Sequence, residues 1–97
     1  MGRMKEPFSR NEAKKLILTI LKDGHVVFSR HAEEELGKDD LTTVDAVNVL
    51  RAGKITEQPE YERDTWRYRV HTERMVVVVS FVSESKLRIV TAWRKKK

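Results

Sequence analysis

The stretch TWRYRVHTERMVVVVSFVSESKLRIVTAWR, residues 65–94, decides the fold. Over Thr65–Thr72, Trp66, Tyr68 and Val70 alternate with Arg67, Arg69 and His71. Period-2 alternation marks a strand with one face in a core and the other toward water. Thr72–Arg74 reads as a tight turn. Met75–Val82 follows as a nearly unbroken β-branched run with no polar side, the pattern of a central strand covered on both faces. Ser83-Glu84-Ser85-Lys86 is a second turn, and Leu87–Trp93 a third strand, with Leu, Ile, Thr and Trp on one side and Arg, Val and Ala on the other. Three consecutive strands with short turns form an antiparallel meander. Its Arg67/Arg69/His71 row is the most chemically loaded surface in the chain.

Upstream, Ser9 with Glu12 three residues later has the form of a capping box. Ala13, Leu16, Ile17, Ile20 and Leu21 recur at helical spacing behind it, and Gly24 closes the helix. His25–Ser29 is a short β-rich segment. Arg30–Leu36 reads as a short helix capped by Ser29 and ended by Gly37, and Gly37–Leu41 as a charged loop. A third helix starts at Thr42 or Thr43, with Asp45 in its first turn, and runs to Gly53; Val44, Val47, Val49 and Leu50 are its expected buried stripe. Lys54–Gln58 reads as another strand and Pro59–Asp64 as a polar loop. The order α-β-α-α-β-β-β-β segregates helices from strands. It predicts an α+β fold, its N-terminal helices packed on one face of a mostly antiparallel, strongly twisted sheet.

At 97 residues the chain is sized for one domain, 1–97, with 1–8 and 95–97 as flexible ends. Hydrophobic residues make up 39% and charged residues 36%, the balance of a globular domain with a heavily charged surface. No cysteine is present, which removes disulfides and thiolate metal sites. No run approaches the ~18 apolar residues of a membrane helix. The N-terminus lacks the apolar core of a secretory signal, so a cytoplasmic location without membrane association is expected. The net charge of +5 is unevenly spread. Residues 1–30 carry seven basic and three acidic side chains, residues 31–60 three and eight, and residues 61–97 ten and four. A basic strand face interleaved with aromatic residues points to a polyanion, and to nucleic acid in particular.

The chemistry-bearing residues narrow this further. His25, His31 and His71 do not fall at metal-ligand spacing, and Glu33-Glu34-Glu35 is a solvated helix face, so no metal and no cofactor are expected. RNA cleavage needs less, because the substrate's 2′-hydroxyl is the nucleophile. The protein then moves protons and stabilises a pentavalent phosphate, work for a histidine and one or two arginines. His31 stands at a helix start, where the dipole favours its neutral, basic form. Arg67 and Arg69 lie about 7 Å apart on one strand face, within reach of one phosphate. His71 continues the row, Arg94 adds a cation at the end of the last strand, and Lys95–Lys97 form a basic tail. Structural alternatives stand beside these roles: His31 as a packing or capping residue, Arg67 and Arg69 paired with Glu57 or Glu62, and Trp66, Tyr68 and Trp93 in the core.

The motifs Ser29-Arg30-His31-Ala32, the Thr43–Gly53 helix ending in Ala52-Gly53-Lys54-Ile55, and the Ile89-Val90-Thr91 strand resemble a family of small bacterial domains of unknown function. That family opens with S-x-H-A and closes with an I-x-T strand. It is grouped with RelE-like and MqsR-like toxins in the barnase/EndoU/colicin/RelE ribonuclease fold group. Lys14-Lys15-Leu16, Gly24-His25-Val26, Glu35-Leu36-Gly37 and Thr65-Trp66 add to the likeness, which spans about residues 9 to 94. The tyrosine of the MqsR-like central strand has no counterpart in Met75-Val76-Val77, which shifts the expected proton transfer to His31.

The resemblance implies a metal-independent endoribonuclease, an mRNA interferase toxin of a toxin–antitoxin pair that cleaves RNA by 2′-hydroxyl attack. In that reading His31, Arg67 and Arg94 are catalytic. Arg30, Arg69, His71, Thr91, Lys95 and Lys96 bind RNA. A cognate antitoxin protein covers the basic face. The alternative is a non-enzymatic module of the same fold that binds protein or nucleic acid.

Overall fold

Three helices and five strands follow one another in a computed structural model that describes residues 5–96. They are α1 (Arg10–Asp23), β1 (His25–Phe28), α2 (Arg30–Lys38), α3 (Thr43–Ala52), β2 (Glu60–Glu62), β3 (Thr65–His71), β4 (Met75–Ser83) and β5 (Lys86–Arg94). The fold is α+β, helices first and strands last. The sheet order is β1-β5-β4-β3-β2; β1 runs parallel to β5 and every other neighbour is antiparallel. The valine-rich strand is central, as its composition requires. No helix among the described residues is long and apolar enough to cross a membrane.

Each helix is started by a side chain that satisfies otherwise orphaned amides. Ser9 accepts from the Glu12 amide while Glu12 accepts from the Ser9 amide, and Thr42 and Asp45 make the same reciprocal pair. Ser29 accepts from the Ala32 amide. One face of each helix then enters a common core: Ala13, Ile17 and Ile20 from α1, Ala32 and Leu36 from α2, and Ala46, Val49 and Leu50 from α3. They meet Tyr68, Val70, Val77, Val79, Leu87, Ile89 and Ala92 of the sheet. Each large aliphatic side chain buried there contributes about 1.5–3 kcal/mol relative to an exposed one. Lys14 closes the C-terminal end of α3, donating to the carbonyls of Leu50, Arg51 and Gly53 at 2.7, 3.1 and 2.6 Å. Burial pulls its pKa below the ordinary lysine value.

Several local expectations need correction. Val44 is 64% exposed and Ala46 fully buried, so the stripe of α3 is rotated from the expected one. Gly37 lies inside α2; the helix runs one residue further and the chain reverses at Asp40, which takes a positive φ of 56°. Lys54–Gln58 is not a strand: Lys54 alone bridges to His71, and of this segment only Ile55 is anchored in the core. The strand lies instead at Glu60–Glu62, within the expected loop. Arg63 and Asp64 both adopt positive φ and fold these residues back on Thr65–Arg67, and Tyr61 packs on Trp66. At residues 6–8 the lead-in packs on the sheet. The Phe8 amide donates to the Tyr68 hydroxyl, which donates to Glu6, and the Phe8 ring packs on Tyr68 and Phe81. Lys95 is likewise held, its amide on the Arg74 carbonyl; residues 1–4 and 97 lie outside the described residues.

The correction with most consequence is in β5. Val78 pairs with Thr91 but Val79 with Ile89, so Val90 is an extra residue, a β-bulge. A one-residue insertion flips the side-chain alternation beyond it. Leu87, Ile89 and Ala92 therefore face the core, while Arg88, Thr91 and Trp93 share the other face. Trp93 is not a core residue.

Candidate nucleic-acid interface

The face of the sheet away from the core carries Arg67, Arg69 and His71 from β3, as the alternation predicts. Register places Arg69 beside Val78 and Val78 beside Thr91, and His71 beside Val76 and Val76 beside Trp93. The Arg69 guanidinium carbon lies 5.9 Å from the centre of the Trp93 ring. Because β4 separates the two strands by about 10 Å, this contact passes over the top of β4. It accounts for Val76 and Val78 being 8% and 6% exposed on a face that carries no core cluster. The two-sided burial of the valine run thus comes from helices on one side and an arginine–tryptophan lid on the other.

Two of the arginines are already matched by charge. Arg67 pairs with Glu62 at 3.0 Å and Arg69 with Glu60 at 3.4 Å. Hairpin β2–β3 sets both pairs, since Glu60 stands opposite Arg67 and Glu62 opposite Thr65. Arg67 is half-buried, and its Nε is buried without a hydrogen-bond partner.

At the open end of the same row lies the most structured cluster. His71 Nε2 is 2.8 Å from Thr56 Oγ1 and 3.4 Å from Glu57 Oε1, and Nδ1 is 3.0 Å from Lys95 Nζ. An ammonium group only donates, so Nδ1 is the acceptor and Nε2 carries the proton that reaches Thr56. Thr56 Oγ1 in turn donates to Glu57 Oε1 at 3.2 Å. The backbone of His71 exchanges both hydrogen bonds with Lys54, at 2.9 Å each, which fixes Lys54 beside the ring. Gly53 makes this approach possible: a Cβ there would stand 2.6 Å from the Val49 carbonyl oxygen and 2.8 Å from that of His71. The imidazole forms part of the wall of a cleft of about 440 Å³ bounded by Lys54, Thr56, Thr72, Glu73 and Lys95.

The other expected site residues are spread out. Arg30 and His31 are exposed in the first turn of α2, which packs against β5. Ser29, just before it, donates to the Ile89 and Val90 carbonyls of β5. β1 lies three strand spacings, about 14 Å, from Arg67. Arg94 sits at the other end of α2, where its amide and guanidinium bind Asp39 Oδ2 and the Asp39 carbonyl, both at 2.9 Å. Eight residues of helix, about 12 Å, separate Asp39 from His31. The structure therefore gathers Arg69, His71, Thr91 and Lys95 on one surface, sets Arg94 and Lys96 beside it, and leaves His31 and Arg30 away from Arg67. Lys54 and Thr56 escaped the sequence reading; the Ala52-Gly53-Lys54-Ile55 turn was their signal. Among the described residues no three His, Asp or Glu side chains gather as metal ligands.

Residues 28–94 match a family described as a domain of unknown function, DUF4258. The chain belongs to the DUF4258 family. The match begins at the end of β1 and closes at the end of β5, so it takes in the β5 bulge, the Arg69–Trp93 contact and the His71 cluster of this DUF4258 domain except Lys95, one residue beyond it. Comparison with curated proteins and with solved structures finds no match.

Proposed function

We propose that this DUF4258 domain is a metal-independent endoribonuclease toxin of a toxin–antitoxin pair, with its reactive centre at His71. The likeness to RelE-like and MqsR-like toxins supplies the reaction class. The observation that carries the assignment is the His71 imidazole held between the Lys95 ammonium and the Thr56–Glu57 pair, beside a cleft on a basic, aromatic-bearing face.

The chemistry follows from those contacts. When Lys95 engages a phosphate oxygen, Nδ1 is freed to accept the 2′-hydroxyl proton, and the 2′-oxygen attacks phosphorus. Lys54 and Lys95 offset the charge of the phosphorane. The 5′-oxygen leaves with a proton from Lys95, giving a 2′,3′-cyclic phosphate. The proton on Nδ1 then returns to Lys95, which restores the starting state. Arg94 and Lys96 hold flanking phosphates, Thr91 lies on the same face, and the antitoxin would cover this surface. His31 has no part in these steps.

The test is cleavage of a single-stranded RNA in EDTA beside the same oligonucleotide with one 2′-deoxy position. Cleavage everywhere except at the deoxy position is expected, together with growth arrest on induced expression. Intact RNA and unimpeded growth would sink the reading. One observation favours the alternative, a non-enzymatic binding module: Arg67, Arg69 and His71 each already face a carboxylate of the same chain. That reading predicts RNA or protein binding with no cyclic phosphate product.

A further inference from the structure

The basic charge that lacks a partner lies around the end of the sheet rather than on its face. The His71 cleft shares Ala52, Lys54 and Thr56 with a cleft of about 420 Å³ lined also by Arg10, Lys14 and Arg51. On its other side it shares Lys95 with a cleft of about 710 Å³ where Trp93, Arg94 and Lys96 stand beside Asp39 and the Lys38–Glu35 ion pair. Three clefts thus join end to end, with Lys54 and Lys95 on the two ridges. The first is lined by four cations and no carboxylate. Arg51 and Lys54 are exposed and, among the described residues, neither makes an ion pair. Arg67 and Arg69, by contrast, are held by Glu62 and Glu60.

We infer that a single-stranded RNA backbone runs through these three clefts, from Arg51 past Lys54 and His71 to Lys95 and Trp93, around the sheet end and not across the Arg67/Arg69 row. This rests on the RNA reading above and adds the α1–α3 side of the molecule to the binding surface. Chain continuity is the argument: a polyanion needs cations at successive phosphates, and here the uncompensated ones lie in adjoining depressions with the imidazole at the middle. Trp93 at the far end offers a ring on which a base could stack.

The test is a salt titration of binding to a fluorescein-labelled oligouridine, read by anisotropy. Each neutralised phosphate contributes about 0.7 to the log–log slope on single strands. Arg51→Ala/Lys54→Ala should make the slope shallower by about 1.4 and weaken binding about 25-fold at 0.1 M salt. Lys22→Ala/Lys86→Ala removes the same charge outside the clefts and should leave the slope unchanged. Circular dichroism melts establish that both variants are folded. If wild type binds but Arg51→Ala/Lys54→Ala matches it, or if only Arg67→Ala/Arg69→Ala flattens the slope, the path is wrong while the RNA reading stands. If wild type shows no salt-dependent RNA binding, or binds only polyglutamate, both fall.

Discussion

Arg69 and Trp93 meet across an intervening strand, the guanidinium 5.9 Å from the ring centre, and roof the apolar side chains of Val76 and Val78. The contact exists because β5 carries one extra residue at Val90. Without it Trp93 would fall on the core face, where α2 already packs on β5. A backbone irregularity thus converts a core-type residue into part of the exposed basic surface.

Trp93→Ala should therefore destabilise by about 2 kcal/mol, below the ~3–5 typical of a fully buried Trp or Phe because the ring is half-exposed. Arg69→Ala should cost less, about 0.5–1 kcal/mol, the scale of an exposed cation–π contact. A double-mutant cycle by urea unfolding should return a coupling of about 0.5–1 kcal/mol. Strictly additive losses would mean that the two side chains do not share the roof.

Glu6 provides a pH test of the docked N-terminal segment. Burial holds its carboxyl above the ordinary glutamate value, an effect partly offset by the hydrogen bond from Tyr68. A raised folded-state pKa means that the native state binds the extra proton between the unfolded and folded values. This contribution to stability is full below the unfolded pKa and is lost as pH rises through the folded one. Glu6→Gln keeps an acceptor for Tyr68 and removes the charge, so its advantage over wild type should appear above the carboxylate range and vanish in acid. Glu12 acts in the opposite sense, lowered chiefly by its hydrogen bond from the Ser9 amide, and is common to both proteins. Equal melting temperatures at all pH values would show that Glu6 is not docked in solution.

Gly53→Ala probes how the site is held. The added methyl meets two carbonyl oxygens, of Val49 and His71, so the end of α3 and β3 must separate. A loss of about 1–3 kcal/mol is expected, the usual scale of overpacking. The Lys54–His71 amide bridges should also exchange faster with deuterium. Wild-type stability with unchanged exchange would show that the approach is looser than it stands here.

Most of the architecture was legible because each element announces itself locally. Ser9, Ser29 and Thr42 mark helix starts, and the alternation in β3 and the valine run of β4 mark strand position. What failed was non-local or lacked a sequence signature. The bulge at Val90 is a matter of register between two strands. The Arg63–Asp64 turn uses positive φ without the Asn-Gly or Asp-Gly pair that would flag it. Arg67, Arg69 and His71 were found because alternation puts them on one face. Lys54 and Thr56 belong to the site only through Gly53 closing on His71, a contact across 18 residues of chain that no periodicity reports.

The two histidines separate the proposed mechanism from the one implied by sequence likeness. His31 is exposed and makes no hydrogen bond or ion pair among the described side chains. His71 is fixed on both nitrogens, by Lys95 and by Thr56. As general base, an imidazole takes the proton only in its neutral form, so kcat/KM falls where the ring is protonated. His71→Gln keeps polar groups toward Thr56 and Lys95 and removes the titrating nitrogen. It should fold, bind RNA within about threefold of wild type, and cleave at least about a hundredfold more slowly, the low end for general acid–base catalysis. The inflection that this base imposes on the pH profile should disappear with it. Lys95→Ala should slow cleavage as well, since phosphorane stabilisation and protonation of the 5′-oxygen both rest on that ammonium. His31→Gln should leave rate and profile unchanged. If His31→Gln abolishes cleavage while His71→Gln retains rate and inflection, the proton moves at the start of α2, and the His71 cluster is a structural tie between β3 and the C-terminal tail.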